Sequence, residues 1–70
     1  MKTKTRIFYI DIAYDGVVSV LGKWQDLKFV YQNRWAIDHQ TPDRDASYMV
    51  TVKSRLFGLI ESYTVVKVTH

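Results

Sequence analysis

Two β-rich runs flank Tyr14-Asp15-Gly16, and the loop chosen between them decides which side chains of residues 6–24 can share a face. A two-residue Asp15-Gly16 loop pairs Tyr14 with Val17. It puts Phe8, Ile10 and Ile12 on the side of Ser19 and Lys23, mixing apolar with polar. A three-residue loop, with Tyr14 and Asp15 in a type I turn and Gly16 at positive φ as a bulge, pairs Ala13 with Val17 instead. Phe8, Ile10, Ile12, Val18, Val20 and Trp24 then fall together. A one-residue slip swaps the faces of a strand, so the second register is expected. The other face carries Ile7, Tyr9, Asp11, Ala13, Val17, Ser19, Leu21 and Lys23. It is more apolar than a wetted face needs to be, and part of it fits a partner surface.

After the hairpin the period changes. Residues 26–40 place Leu27, Val30, Tyr31, Arg34, Trp35 and Ile37 on one side of a helix, with Asp26 as N-cap and an end before Thr41-Pro42. Thr41 to Asp45 reads as a turn. Ser47 to Lys53 alternates, with Tyr48, Val50 and Val52 on one face and Met49, Thr51 and Lys53 on the other, as in a half-buried strand. Thr64 to His70 reads as a closing strand with Val66 and Val68 facing together. Between them Leu56, Leu59, Ile60 and Tyr63 follow Ser54 at helical spacing. A short second helix is the preferred reading there, and one long hairpin bent at Gly58 is the alternative.

The expected architecture is therefore α+β, in the order β-β-α-β-(short α)-β, a mostly antiparallel sheet with one main helix on one face. Seventy residues allow one modest core and no second domain. With no cysteine, the core must stand without disulfides, and 47% hydrophobic residues suffice for that. Residues 1–5 are expected as a flexible basic arm. Absence of cysteine, of a signal-peptide pattern and of a long apolar run together point to a cytoplasmic protein off the membrane. A small sheet leaves edges uncovered, so a homodimer through an edge strand or through the Tyr9 and Leu21 face is a reasonable expectation.

Enzyme chemistry finds little to work with. Gly16, Gly22 and Gly58 are far apart and open no phosphate loop, and the serines lack a nucleophile elbow. Asp38, His39, Asp43 and Asp45 are the one cluster that could hold a metal or act as acid and base. Asp38 and His39 are sequence neighbours, however, pointing about 100° apart on a helix, and a polar helix end followed by a turn accounts for all four. No catalysis, metal or cofactor is expected.

Binding remains. Trp, Tyr and Arg dominate interface hot spots and are plentiful here, so the expected function is a non-catalytic protein that binds and modulates or inhibits another protein. Tyr9, Leu21, Arg34 and Trp35 are the candidate contacts. In size and composition the chain is similar to small accessory proteins that bacteriophages and mobile elements encode to occupy host or defence proteins, a likeness resting on no motif. The alternative is nucleic-acid binding. A net charge of +3 favours it mildly, with Lys2, Lys4, Arg6, Lys53 and Arg55 for phosphates and Tyr9, Tyr31, Trp35, Tyr48 and Tyr63 for bases.

Overall fold

Alternation of large apolar side chains builds a four-stranded sheet in the computed structural model, which describes residues 3–55 and 60–68. The elements are β1 (Lys4–Ile12), β2 (Val18–Leu21), α1 (Trp24–Gln32), α2 (Arg34–Gln40), β3 (Ala46–Arg55) and β4 (Ile60–Val68). Every neighbouring pair is antiparallel, in the order β2-β1-β3-β4. The α+β class follows directly.

The first hairpin takes the three-residue loop. Ile12 faces Val18, the Ala13 amide donates to Val17 O at 2.9 Å, and Gly16 sits at φ +90°, a conformation that a Cβ disfavours. Phe8, Ile10 and Ile12 are consequently buried, and Val18 and Val20 pack against them. Tyr48, Val50 and Val52 join from β3, and Tyr63 and Val65 from β4. Tyr48, Val50 and Val52 fall on one face of β3 as the alternation requires.

Trp24 departs from expectation. The strand stops at Leu21, and Trp24 opens α1 with its side chain exposed, away from the core side it was assigned to. Asp26 is therefore the third helical residue and not the N-cap. Lys23 holds the cap position and has no acceptor to offer, so the carboxylate reaches back: Asp26 Oδ2 accepts the Lys23 amide at 2.9 Å.

The helical stretch is also two helices and not one. Asn33 interrupts it at φ −112°, ψ 22°, and its side-chain Nδ2 donates to Phe29 O at 2.9 Å, competing for a helical carbonyl. Phe29, Val30 and Ile37 are the residues that reach the core. Phe29 stands edge-on to Phe8 and to Tyr63, with ring centroids 6.4 and 5.4 Å apart. Leu27, Tyr31, Arg34 and Trp35, expected on the inner side, are exposed instead. Val30 and Ile37 are buried as the pattern requires, and Phe29, which the pattern left out, joins them. Thr41 closes α2 by donating its hydroxyl to Ile37 O at 2.9 Å.

The short helix after Ser54 is overturned. Ser54 and Arg55 continue β3, where they pair with Glu61 and Ile60 of β4, so strand occupies both ends of the proposed helix. The long-hairpin alternative describes these residues; Leu56, Gly58 and Leu59 lie outside the described residues. The closing strand is described over Ile60–Val68, so it already includes Ile60 to Tyr63 before Thr64, while Thr69 and His70 lie outside the described residues. Val66 and Val68 share the face opposite the core, as their register against Met49 and Ser47 requires. Lys4 and Thr5, expected in a loose arm, pair with Ser54 and Lys53 in the sheet.

Candidate functional site: two apolar surfaces on opposite layers

Helical spacing brings Trp24, Leu27 and Tyr31 onto one face of α1, at positions i, i+3 and i+7. Trp35, exposed on α2, follows four residues after Tyr31, past the break at Asn33. At about 100° per residue the three of α1 point away from the side where Asp26, Phe29 and Val30 are buried, and Trp35 likewise stays outside the core. Their exposures measure the consequence: Trp24 75%, Leu27 46%, Tyr31 80% and Trp35 75%. Single exposed apolar residues are ordinary, but three on one helix face with a fourth on the next helix mark the layer as a candidate surface.

The charges beside this stripe are mostly basic. Lys28 and Arg34 lie to either side of it, and Lys23 stands at its start. The acid nearby, Asp38, is already paired with Arg34 at 3.2 Å. Arg34 also reaches Gly16 O at 3.5 Å, which ties the start of α2 to the first hairpin. His39 lies against the Trp35 ring, centroids 4.2 Å apart, and holds the indole near the helix surface.

The second surface is the sheet face without helices. Registration across four strands lines up Leu21, Tyr9, Met49 and Val66 in one row, with Ile7 in the next. Tyr9 and Leu21, singled out in sequence, are direct cross-strand neighbours and both exposed, at 44% and 56%. Arg34 and Trp35 belong to the other layer. The four candidate contacts thus form two separate pairs. Trp24, Leu27 and Tyr31 were missed, although one signal was available: residues 24–40 carry two apolar stripes, and a helix packed on one sheet can bury only one.

The phosphate-binding candidates do not converge either. Arg6 Nε lies 3.3 Å from Asp26 Oδ1 and its guanidinium stands 6.0 Å from the Phe29 ring, so it serves the core's rim. Lys53 and Arg55 alternate onto the helix-free face, Lys4 and Arg6 onto the other. Lys2 lies outside the described residues.

The acidic cluster is divided as well. Asp38 binds Arg34, His39 stacks on Trp35, and Asp43 pairs with Lys67 at 3.0 Å. The hydrogen bond and the charge of Asp43 hold the Lys67 ammonium above its ordinary value of 10.5. Among the described residues no three His, Asp or Glu side chains gather as metal ligands do. A shallow depression of about 560 Å³ opens at this end of the sheet, with Asp11, Ser19, Arg44, Asp45, Ser47 and Lys67 among its lining. Ser47 Oγ donates to Asp11 Oδ1 there at 2.5 Å, across their registered pair.

Among the described residues no helix is long and apolar enough to cross a membrane. No family model, curated protein or solved structure matches this chain.

Proposed function

We propose that this chain is a non-catalytic binding protein whose helical layer docks into a groove of another protein and thereby modulates or inhibits it. One observation carries the proposal: Trp24, Leu27 and Tyr31 share an exposed face of α1, and Trp35 of α2 is exposed as well, on helices whose Phe29, Val30 and Ile37 are buried in the core. Helix-in-groove recognition uses anchors at this spacing, and two tryptophans and a tyrosine are the side chains that most often dominate such contacts. The partner is a protein with an apolar groove and an acidic rim, because Lys23 and Lys28 lie beside the stripe and Asp38 is already paired with Arg34.

The test is capture from lysate of the source cell, with and without nuclease, by the wild-type chain and by Trp24→Ala and Trp35→Ala. One stoichiometric protein that survives nuclease and is lost with either substitution supports the proposal. Capture indifferent to both substitutions removes it.

Nucleic-acid binding is the second reading, and the same juxtaposition of exposed aromatics with Lys28 and Arg34 favours it, since bases stack on such rings. It ranks below the first because Lys53 and Arg55 face away from the stripe and Arg6 is held by Asp26. Oligonucleotide affinity that falls steeply with salt and is lost in Trp35→Ala would reverse that order.

A further inference from the structure

We infer that β4 is a dimer seam, along which two copies of this chain pair antiparallel about a two-fold axis at Thr64. β4 is nine residues long and, among the described residues, stands at the edge of the sheet and pairs with β3 alone. Its register with β3 runs from Val68 to Ile60 without a bulge, and it contains no proline. Long regular edges of this kind are templates for another strand, and natural sheets usually blunt them. The other edge, β2, has only four residues.

The sequence of β4 selects the partner. Antiparallel pairing of β4 with itself must keep each residue on its own face, which permits only registers shifted by even steps. The register centred on Thr64 overlaps all nine residues and sets Glu61 opposite Lys67 twice, once on each side of the axis. It also sets Tyr63 opposite Val65 twice and Thr64 opposite Thr64. Opposite charges, an aromatic against a β-branched residue, and paired threonines are the cross-strand combinations that stabilise antiparallel sheets. A shift of two residues either way loses both charge pairs.

The faces agree with this register. Glu61, Tyr63, Val65 and Lys67 alternate on the core side, where Tyr63 and Val65 are only partly covered. A second copy would extend that layer with its own Tyr63 and Val65. Glu61 and Lys67 are exposed; Glu61 accepts from Ser54 at 3.3 Å and Lys67 is paired with Asp43 at 3.0 Å, so across the axis the Lys67 ammonium would be shared between Asp43 and Glu61 of the second copy. On the opposite face the row of Leu21, Tyr9, Met49 and Val66 would end at the seam, where Val66 meets Ser62 of the second copy. The helical stripe takes no part, so the seam stands or falls apart from the proposed docking surface.

The chain has no cysteine, so Thr64→Cys places a single thiol on the axis. In this register the two copies of position 64 lie about 4.5–5.5 Å apart at Cα, within disulfide range. Mild oxidation should couple Thr64→Cys into a covalent dimer at least about tenfold faster than Leu21→Cys or Tyr31→Cys. Equal coupling at position 21 or 31 overturns the seam in favour of that surface. Sedimentation across a concentration series supplies the second arm. Glu61→Lys and Lys67→Glu should each weaken the dimer about tenfold, since each turns two attractive pairs repulsive, and the double substitution should restore it. A wild-type chain that stays monomeric throughout, or a double variant no tighter than the singles, refutes the proposal.

Discussion

Arg6 and Asp26 join the first strand to the first turn of the first helix across 3.3 Å. The carboxylate is buried while the guanidinium keeps part of its surface in water. Oδ1 faces Arg6 without the alignment of a directed hydrogen bond, and Oδ2 takes the Lys23 amide. One side chain therefore starts the helix and fixes where that helix sits over β1. The aromatic stripe inherits its direction from this anchor, because the phase of α1 over the sheet decides which residues point outward.

Removal of the anchor should be costly. Asp26→Ala loses the cap and leaves Arg6 without its counter-charge, an expected loss of about 2–3 kcal/mol in which the partial exposure of Arg6 limits the electrostatic share. Arg6→Ala strands the buried carboxylate. Chemical denaturation of both single variants and the double should show a double variant less destabilised than the sum of the two.

Gly22 is coupled to the same carboxylate by space. A Cβ at Gly22 would lie 2.6 Å from Asp26 Oδ2 and 3.1 Å from Phe8 Cβ. Gly22→Ala should therefore displace the carboxylate and cost about 1–2 kcal/mol. In an Asp26→Ala background part of that cost should vanish, which a four-variant denaturation cycle would read; full additivity would separate the two residues.

At Gly16 the cause is different. The left-handed φ of +90° is imposed by the three-residue loop, and the nearest atom to a new Cβ, Arg44 Nη1 at 2.9 Å, belongs to an exposed flexible side chain that can move. Gly16→Ala should cost about 1–2 kcal/mol through the backbone. An Arg44→Ala background should leave that cost unchanged.

How much of this was legible in sequence depended on whether one pattern or two competed for a segment. The first hairpin was readable because Gly16 could supply positive φ and only one register separated Phe8, Ile10 and Ile12 from polar neighbours. β3 was readable because Tyr48, Val50 and Val52 alternate without rival. Residues 54–65 satisfied two periods at once: Leu56, Leu59, Ile60 and Tyr63 fit a helix, while Tyr63 and Val65 fit a strand. Cross-strand pairing with β3 settled the contest, and pairing is a tertiary fact that no local window contains. Trp24 failed for a similar reason, since alternation from Val18 and Val20 extends to it although the strand ends at Leu21. Tyr9, Leu21, Arg34 and Trp35 could be named as surface candidates from residue type. Their division into two layers needed the phase of the helices.

Tyr48 shows how a buried polar tip is tied to a loop. Its hydroxyl donates to Asp43 O and accepts the Asp43 amide, each at 3.1 Å, which pins the turn that carries the Lys67 partner. Tyr48→Phe should cost about 1–2 kcal/mol because the Asp43 amide and carbonyl lose a part-buried partner. Amide exchange at Asp43 should accelerate while β1 amides keep their protection.

The two apolar stripes of the helical layer make opposite demands on stability, and their contrast tests the assignment of the outer one. Phe29 and Ile37 sit among Phe8, Ile10 and Val50, so truncating either to Ala opens a cavity in a core with few side chains to refill it. About 3–4 kcal/mol is the expected loss, enough to unfold much of a domain this small. Trp24, Tyr31 and Trp35 leave most of their surface in water, and their truncation should change stability by no more than about 0.5 kcal/mol. Trp35→Ala frees His39 from its aromatic neighbour but opens no cavity. Denaturation of the five variants side by side gives the answer before any partner is known. Should Trp24→Ala and Trp35→Ala prove as damaging as Phe29→Ala, the outer stripe would be structural, and the surface proposed for binding would lose its anchors.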